Sequence, residues 1–398
     1  LLPSTAISDE AVSLVAKEFA RAGGLYVRDQ QKTVDLMKKS TNAGSPYFTK
    51  KKAVTRKTVP CDAFQHDKIT YQILNAKGMK KFPLNRNQLL HTDGDEWKAA
   101  AILGWRGQEG GPKRDDVKQR VVWMFPYAVN IRELQVYQPL IEACQRFNLV
   151  PAWVSMEAVD ERVTRLMDSK GKDDLIVCTD FSKFDQHFNE SLQSAAKTLI
   201  SGMFKDCLES RLWLDKIFPI KYEIPLAYDY GEIRFGKHGM GSGSGGTNAD
   251  ETLAHRALQY EAALQANQKL NPNSMCLGDD GILSYPGITP EDVMRTYTSH
   301  GLDMNEEKQY ASKQDCVYLR RWHHVNYRVN GICVGVYSTC RALGRLCEQE
   351  RYYDSEKWSY KMVALRQLSI IENVKYHPLR DQFAEFCMKR DKFRLGLD

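Results

Sequence analysis

Two acidic clusters carry the chemistry written into this sequence. Asp180 and Asp185 lie in Asp-Phe-Ser-Lys-Phe-Asp, and Gly278-Asp279-Asp280 lies between the short apolar runs Met275-Cys276-Leu277 and Ile282-Leu283. Carboxylates at the ends of adjacent strands offer hard oxygen donors to two divalent cations, which in two-metal sites stand roughly 3.5–4 Å apart. Gly-Asp-Asp-Gly also has the composition of an ordinary polar turn, because Asp and Gly are common turn residues. A glycine-rich loop between the clusters and a basic segment before them favour the metal reading over the turn.

The elements needed to position these groups are legible nearby. Leu175-Ile176-Val177-Cys178 is an apolar run of strand length that leads into Asp180, and Gly278-Asp279-Asp280 reads as the turn of a β-hairpin, so three strands side by side bring the carboxylates together. The loop Gly239-Met240-Gly241-Ser242-Gly243-Ser244-Gly245-Gly246-Thr247-Asn248 permits positive φ and close approach of backbone amides to a phosphate, base or ribose. Leu253, Ala257, Tyr260 and Leu264 recur at helical spacing after it, and Asn248 with Glu251 forms a candidate capping box for that helix. Asn248 is therefore either a cap or a reader of the sugar. Lys118 and Arg120, two apart on an expected strand, share a face that could neutralise a triphosphate, although a solvated charge cluster has the same composition. Thr41 to Tyr47 is turn-rich, and with Lys50, Lys51, Lys52, Arg56 and Lys57 behind it could grip a template backbone.

With these features in this order, the chain resembles the viral RNA-dependent RNA polymerases over nearly its whole length. Asp180 and Asp185 match the family's motif A, Ser242-Gly243 and Thr247 its motif B, and Gly278-Asp279-Asp280 its motif C. Gly301-Leu302 through Asn305 and Lys308 resembles motif D, Tyr318-Leu319-Arg320-Arg321-Trp322 the primer-gripping motif E, Lys118 and Arg120 motif F, and Thr41 to Tyr47 motif G. The wording around motifs A and B is most similar to picobirnaviruses, with partitiviruses as neighbours. The resemblance implies an α+β right-hand polymerase, with an antiparallel palm sheet backed by helices.

On that scheme residues 1–171 form fingers, 172–190 and 236–325 the palm, 191–235 an insertion returning to the fingers, and 326–398 a thumb that is expected to be incomplete. It implies template-directed ribonucleotide transfer for a double-stranded RNA virus. Asp180 and Asp279 would hold Mg²⁺ or Mn²⁺ with Asp280 assisting, and Lys308 would protonate the leaving pyrophosphate. Lys118 and Arg120 would face the triphosphate. Asp185, Ser242, Gly243, Thr247 and Asn248 would contact the nucleotide, with Asp185 near the ribose. Thr41, Gly44 and Pro46 would meet the template, and Arg320 and Arg321 the primer.

One departure from the family wording matters. The asparagine usual three or four residues beyond the motif B threonine is absent, Asp250 and Glu251 standing there instead. Either Asn248 substitutes, or the ribose contact is organised differently. The chain also begins at Leu1, and the stretch after His324 is short for a thumb, so natural ends are expected to be missing.

Composition sets limits on all of this. A chain of 398 residues with 42% hydrophobic content buries a large core in two or three subdomains, and its net charge of +6 suits RNA without requiring it. No apolar run reaches the ~18 residues of a bilayer span, which together with ten cysteines lacking Cys-x-x-Cys spacing leads us to expect a soluble intracellular protein with reduced thiols. Cys316, His323, His324, Cys333, Cys340 and Cys347 are spaced too widely for a usual zinc site, so none is expected. Expected partners are template and product RNA, ribonucleoside triphosphates and a capsid protein, with no membrane insertion, in the host cytoplasm and within the virion. The same carboxylates would also serve a reverse transcriptase or DNA polymerase, and a catalytically inactive RNA-binding, capsid-associated protein is the non-enzymatic alternative.

Overall fold

The computed structural model describes residues 1–45, 47–58, 100–108, 118–230, 232–349 and 355–396, apart from the side chains of 56–58, 108 and 118. Three helices open the chain: α1 (Asp9–Phe19), α2 (Gln30–Leu36) and α3 (Lys51–Thr58). Strands β1 (Ala101–Gln108) and β2 (Lys118–Met124) follow, then α4 (Tyr127–Arg146) and α5 (Met156–Ser169). Polar caps start several of these helices where an orphan amide needs an acceptor: the Ala11 amide donates to Ser8 Oγ, and the Ala158 amide to Ser155 Oγ.

The central sheet is built from β3 (Ile176–Thr179), β7 (Met275–Leu277), β8 (Asp280–Leu283) and β10 (Tyr310–Ser312), in the order β10-β3-β8-β7 and antiparallel throughout. Its strands are apolar on both faces because both faces are covered. Val177 and Leu283 face the main core with α10 (Thr247–Gln265) and α11 (Pro290–Ser299), whereas Ile176, Cys178 and Ile282 face a second cluster containing Val159, Val163 and Leu166 of α5. The expected sheet backed by helices is therefore present.

Several elements surround this layer. Between β3 and α10 come β4 (Phe181–Ser182), α6 (Phe184–His187), α7 (Glu190–Met203), α8 (Leu208–Leu212), α9 (Ile220–Glu223), β5 (Leu226–Asp229) and β6 (Glu232–Arg234). β5 and β6 join β1 and β2 in a separate sheet, order β2-β1-β5-β6. Strand β9 (Asp303–Met304) pairs with β4, and β11 (Asp315–Tyr318), β12 (Arg321–His324) and β13 (Val336–Tyr337) form a third sheet. The last helices, α12 (Thr339–Cys347), α13 (Tyr360–Asn373) and α14 (Arg380–Arg390), enclose a small core of Tyr337, Ala342, Ile370, Val374, Phe383 and Cys387.

Helices from both sides of residue 171 pack on the same central layer. Helices α1 and α7 both lie against α10, and α5 lies on the central sheet. The reason is that a sheet apolar on both faces needs a cover on each, and α5 supplies one of them.

Candidate active site

The two acidic clusters meet at one end of the central sheet. In the β3–β8 register Thr179 pairs with Gly281, so Asp180, one residue further along, emerges level with Asp280. Between β7 and β8 the pair Leu277–Asp280 closes a two-residue hairpin over Gly278 and Asp279, as the sequence suggested. Only the first of those two residues has positive φ (Gly278, +58°), and glycine takes that conformation without the cost of a Cβ. Asp279 thus projects from the tip of the turn, where no ladder bond constrains it.

Helix α10 grips this turn from behind. The Gly278 amide donates to Thr252 Oγ1 at 2.9 Å, and His255 Nδ1–H donates to the Gly278 carbonyl at 2.8 Å. Burial drives the pKa of His255 down to about 4, which keeps it a neutral donor, and the ring is packed among Phe181, Phe184 and Tyr297. On the other side, Gln309 Nε2 donates to the Asp180 carbonyl at 2.7 Å while its Oε1 accepts from the Asp180 amide at 3.0 Å. Neither His255 nor Gln309 was singled out from sequence. A histidine in a helix and a glutamine in a loop have no distinctive spacing.

The site holds more negative charge than it balances. Burial, followed by the charge of Asp185 and more weakly of Asp180, raises the Asp279 pKa, and Arg120 opposes the rise. Asp280 is pushed up to about 7, first by burial and then by Asp279 and Asp180, against the Leu319 amide that donates to its Oδ2 at 2.8 Å. Glu251 is raised well above the usual carboxylate range by burial and by its hydrogen bond and charge interaction with Asp185. Among the described residues no three acidic, histidine or cysteine side chains are gathered into a ready-made metal cage. The carboxylates instead line a cleft from separate elements.

Asp185, in the single turn α6, faces the glycine loop. Ser242 Oγ donates to Asp185 Oδ2, and the Met240 amide donates to the Asp185 carbonyl at 2.7 Å. Gly243, with φ +124°, passes so near Trp123 that a Cβ would lie 2.0 Å from the Trp123 carbonyl oxygen. Thr247 is the first residue of α10, and its hydroxyl donates to the Ser244 carbonyl at 3.3 Å.

The capping box expected from Asn248 and Glu251 is not formed. Gly246 occupies the N-cap position, Asn248 lies inside the first turn with its Oδ1 accepting from Trp153 Nε1 at 2.7 Å, and Glu251 turns inward to Asp185. The helix begins two residues earlier than a cap at Asn248 would require, which places Asn248 inside its first turn.

The basic strand reaches the same cleft. Arg120 is exposed on β2 and close enough to Asp279 to act on its charge. Register places Arg106 of β1 directly across from Arg120, so the two guanidinium-bearing residues share one face of the sheet. Arg106 escaped the sequence reading because strand pairing, not spacing, brings it there. The side chain of Lys118 lies outside the described residues, as does Pro46. Thr41 is half-buried and its carbonyl accepts from the Lys51 amide at 2.9 Å. Gly44 is buried, with φ +65° and a Cβ position 2.5 Å from the Phe125 carbonyl oxygen, which ties this turn to the end of β2. Lys308 is exposed on a single helical turn, Glu306–Lys308.

The two motif E arginines separate. Leu319 and Arg320 form the two-residue turn between β11 and β12, both at positive φ, and Arg320 is exposed. Arg321 is buried, its Nη1 2.9 Å from Asp160 Oδ1 and its Nη2 donating to Asp160 Oδ2 at 3.0 Å. The charge of Arg321, expected at the primer, is matched inside the protein by Asp160.

The family model described as viral RNA-dependent RNA polymerase matches residues 7–324. A relative described as a potential RNA-dependent RNA polymerase, from Human picobirnavirus (strain Human/Thailand/Hy005102/-), is 62% identical over 388 residues, covering 98% of this chain and 69% of the relative. The chain is also similar to the crystal structure of the RNA-dependent RNA polymerase of a human picobirnavirus, with 61% identity and a TM-score of 0.88 over 99% of this chain and 72% of that one. An insertion loop deletion mutant of such a polymerase matches at 60% identity and the same TM-score of 0.88, covering 99% of this chain and 74% of that one.

Proposed function

The chain belongs to the viral RNA-dependent RNA polymerases, and from that premise we propose how its own residues divide the work. It is an RNA-directed RNA polymerase of a double-stranded RNA virus, with a right-hand polymerase fold. That outcome leaves no support for the reading as a reverse transcriptase, a DNA polymerase or an inactive RNA-binding protein. The observation that carries the assignment of roles is the convergence of Asp180, Asp279 and Asp280 opposite Arg120.

Two carboxylates, Asp279 and Asp280, whose ionisation is opposed by burial and by neighbouring acids suit a ligand that discharges them, and with Asp180 beside them they offer the hard oxygen donors that Mg²⁺ or Mn²⁺ prefers. Two such cations would lower the charge barrier for attack of a primer 3′-hydroxyl on the α-phosphate and bind the phosphates released. Asp180 and Asp279 are assigned as principal ligands, with Asp280 assisting. Asp280 is already tied through Oδ2 to the Leu319 amide, which suits it to the assisting place.

Arg120, with Arg106 on the same face of its sheet, is assigned together with Lys118 to the incoming triphosphate, because phosphoryl transfer leaves the protein little to do beyond positioning and charge neutralisation. Asp185, Ser242, Gly243 and Thr247 line the nucleotide's sugar. Ser242 and the buried Glu251, rather than Asn248, are the partners that orient Asp185. Lys308 is kept as the donor of a proton to pyrophosphate, Arg320 as the primer contact, and Thr41, Gly44 and Pro46 as the template contact.

The fingers, palm and thumb boundaries at 171, 190, 235 and 325 are retained as a scheme, with α1 and α5 lying against the palm. Template and product RNA and ribonucleoside triphosphates are its partners, and it acts in the host cytoplasm. A capsid protein and a place within the virion complete the proposal. Among the described residues no helix is long and apolar enough to cross a membrane.

Primer extension on an RNA template with all four ribonucleotides tests the ligand assignment. Asp180→Ala and Asp279→Ala should each abolish product while RNA affinity and folding persist, because the lost interaction is realised in the transition state. Extension near the wild-type rate by either variant would remove that residue from the catalytic centre.

A further inference from the structure

Behind the glycine loop stands a carboxylate that the mechanism above does not use. Glu133, on α4, has no exposed surface. A buried carboxylate is costly unless its oxygens are bonded, and this one has three donors: Asn130 Nδ2 at 3.1 Å, the Gly245 amide at 3.2 Å and the Ser244 hydroxyl. Two of the three belong to the loop. Ser242, two residues before Ser244, donates the opposite way, to Asp185 at the cleft. Between the two serines Gly243 presses on the Trp123 carbonyl, where no side chain fits. The loop is thus strung between Glu133 on one side and Asp185 on the other.

A second layer holds the inner end still. Lys221 Nζ lies 3.0 Å from Asp250 Oδ2 with both side chains fully buried, and the hydroxyls of Tyr137 and Tyr222 donate to Asp250 at 2.7 and 2.6 Å. The Lys221 carbonyl accepts the Gly241 amide at 3.0 Å, and the Tyr137 ring leaves only 2.3 Å for a Cβ on Gly246. Lys221 is also the main charge that favours the ionised form of Glu133 against burial. This network serves the loop and the first turn of α10, and Lys221 Nζ is held in place by a further bond to the Phe218 carbonyl at 2.8 Å.

We propose that Glu133 is a positioning residue for nucleotide selection: by fixing Ser244 and Gly245 it sets the direction in which Ser242 presents its hydroxyl to Asp185. The proposal rests on the reading of Asp185 as the ribose contact. Its consequence is that sugar discrimination depends on a side chain that never touches the nucleotide.

The test is single-nucleotide incorporation with matched ribo- and deoxyribonucleotides by Glu133→Gln, Ser244→Ala, their double variant and Asp185→Ala. Glu133→Gln keeps the size of the side chain and removes its charge. It and Ser244→Ala should each raise the ribonucleotide KM roughly tenfold, the scale of one lost hydrogen bond to a charged group, and shrink the ribo-to-deoxyribo preference with RNA affinity unchanged. The double variant should be no worse than Glu133→Gln alone, because both changes break the same contact. A lowered melting temperature with unchanged KM and preference in both single variants would make Glu133 a purely structural group and overturn the proposal. Should Glu133→Gln not fold, Ser244→Ala, half-buried on the loop, decides by the same readouts. An unchanged preference in Asp185→Ala overturns the ribose reading and this proposal with it. A changed preference there, with none in the other variants, overturns this proposal alone.

Discussion

At the scale of single residues, the carboxylates make the site's behaviour depend on pH in a direction that can be worked out. The Asp280 carboxyl, with a reference pKa of 3.8, is pushed up to about 7 in the folded chain, chiefly by burial. Between those values the folded protein keeps a proton that the unfolded chain has lost, so this group's contribution to stability is complete below the window and drains away as pH rises through about 7. With divalent cations chelated, the protein should melt at a lower temperature at about pH 8 than at about pH 6, and added Mg²⁺ should restore far more at the higher pH, where the ligands are ionised. Equal Mg²⁺ effects at both pH values, read by thermal melting, would take Asp280 away from the cation. Arg120 supplies a second residue-scale prediction. Arg120→Ala should lower kcat/KM for nucleotides by roughly ten- to a hundredfold, the value of a charge-assisted phosphate contact, with RNA affinity little changed. A loss confined to RNA affinity would move Arg120 to the template path.

At the scale of elements, the β11–β12 hairpin shows how a local conformation is kept for a purpose. Leu319 and Arg320 both sit at positive φ, which costs a residue with a Cβ roughly 1–2 kcal/mol relative to the right-handed region. The Leu319 amide earns that conformation its place by donating to Asp280. Arg320→Gly should raise the melting temperature slightly, by up to about 1 kcal/mol of stability, and weaken primer utilisation. Higher stability with primer use intact would show that the side chain is idle. Elements were also where sequence and structure parted. The apolar runs around Asp180 and Asp279 made the strands and the hairpin legible, because period and turn chemistry are local signals. Glu133, Gln309 and Arg106 were not legible, since each is an ordinary residue in an ordinary helix, loop or strand until pairing across the fold gives it a partner. The spacing of four, three and four between Leu253, Ala257, Tyr260 and Leu264 found the helix α10 but suggested one buried stripe, whereas Asp250, Glu251, His255, Arg256 and Gln259 are buried as well. Periodicity reports which face is apolar, and it is silent about polar residues that find partners inside.

At the scale of the whole molecule, the N-terminal segment is stitched to the catalytic core. Arg256 of α10, buried at 6% exposure, pairs with Glu18 of α1 through two bonds of 2.6 and 2.9 Å, and Glu261 Oε2 accepts the Ser8 amide at 2.7 Å. Glu18→Ala would strand the Arg256 charge, and breaking a buried pair in this way costs about 3–5 kcal/mol, so a large drop in melting temperature is expected. A change of a degree or two would mean that the Ser274 and Pro272 carbonyls suffice for Arg256. Helix α10 therefore answers to four neighbours at once: α1 through Arg256, the Lys221 network through Asp250, Asp185 through Glu251, and the Gly278-Asp279 turn through Thr252 and His255. A substitution at Asp250, Glu251, Thr252, His255 or Arg256 gives up one of those four attachments, so this stretch of sequence has little room to drift.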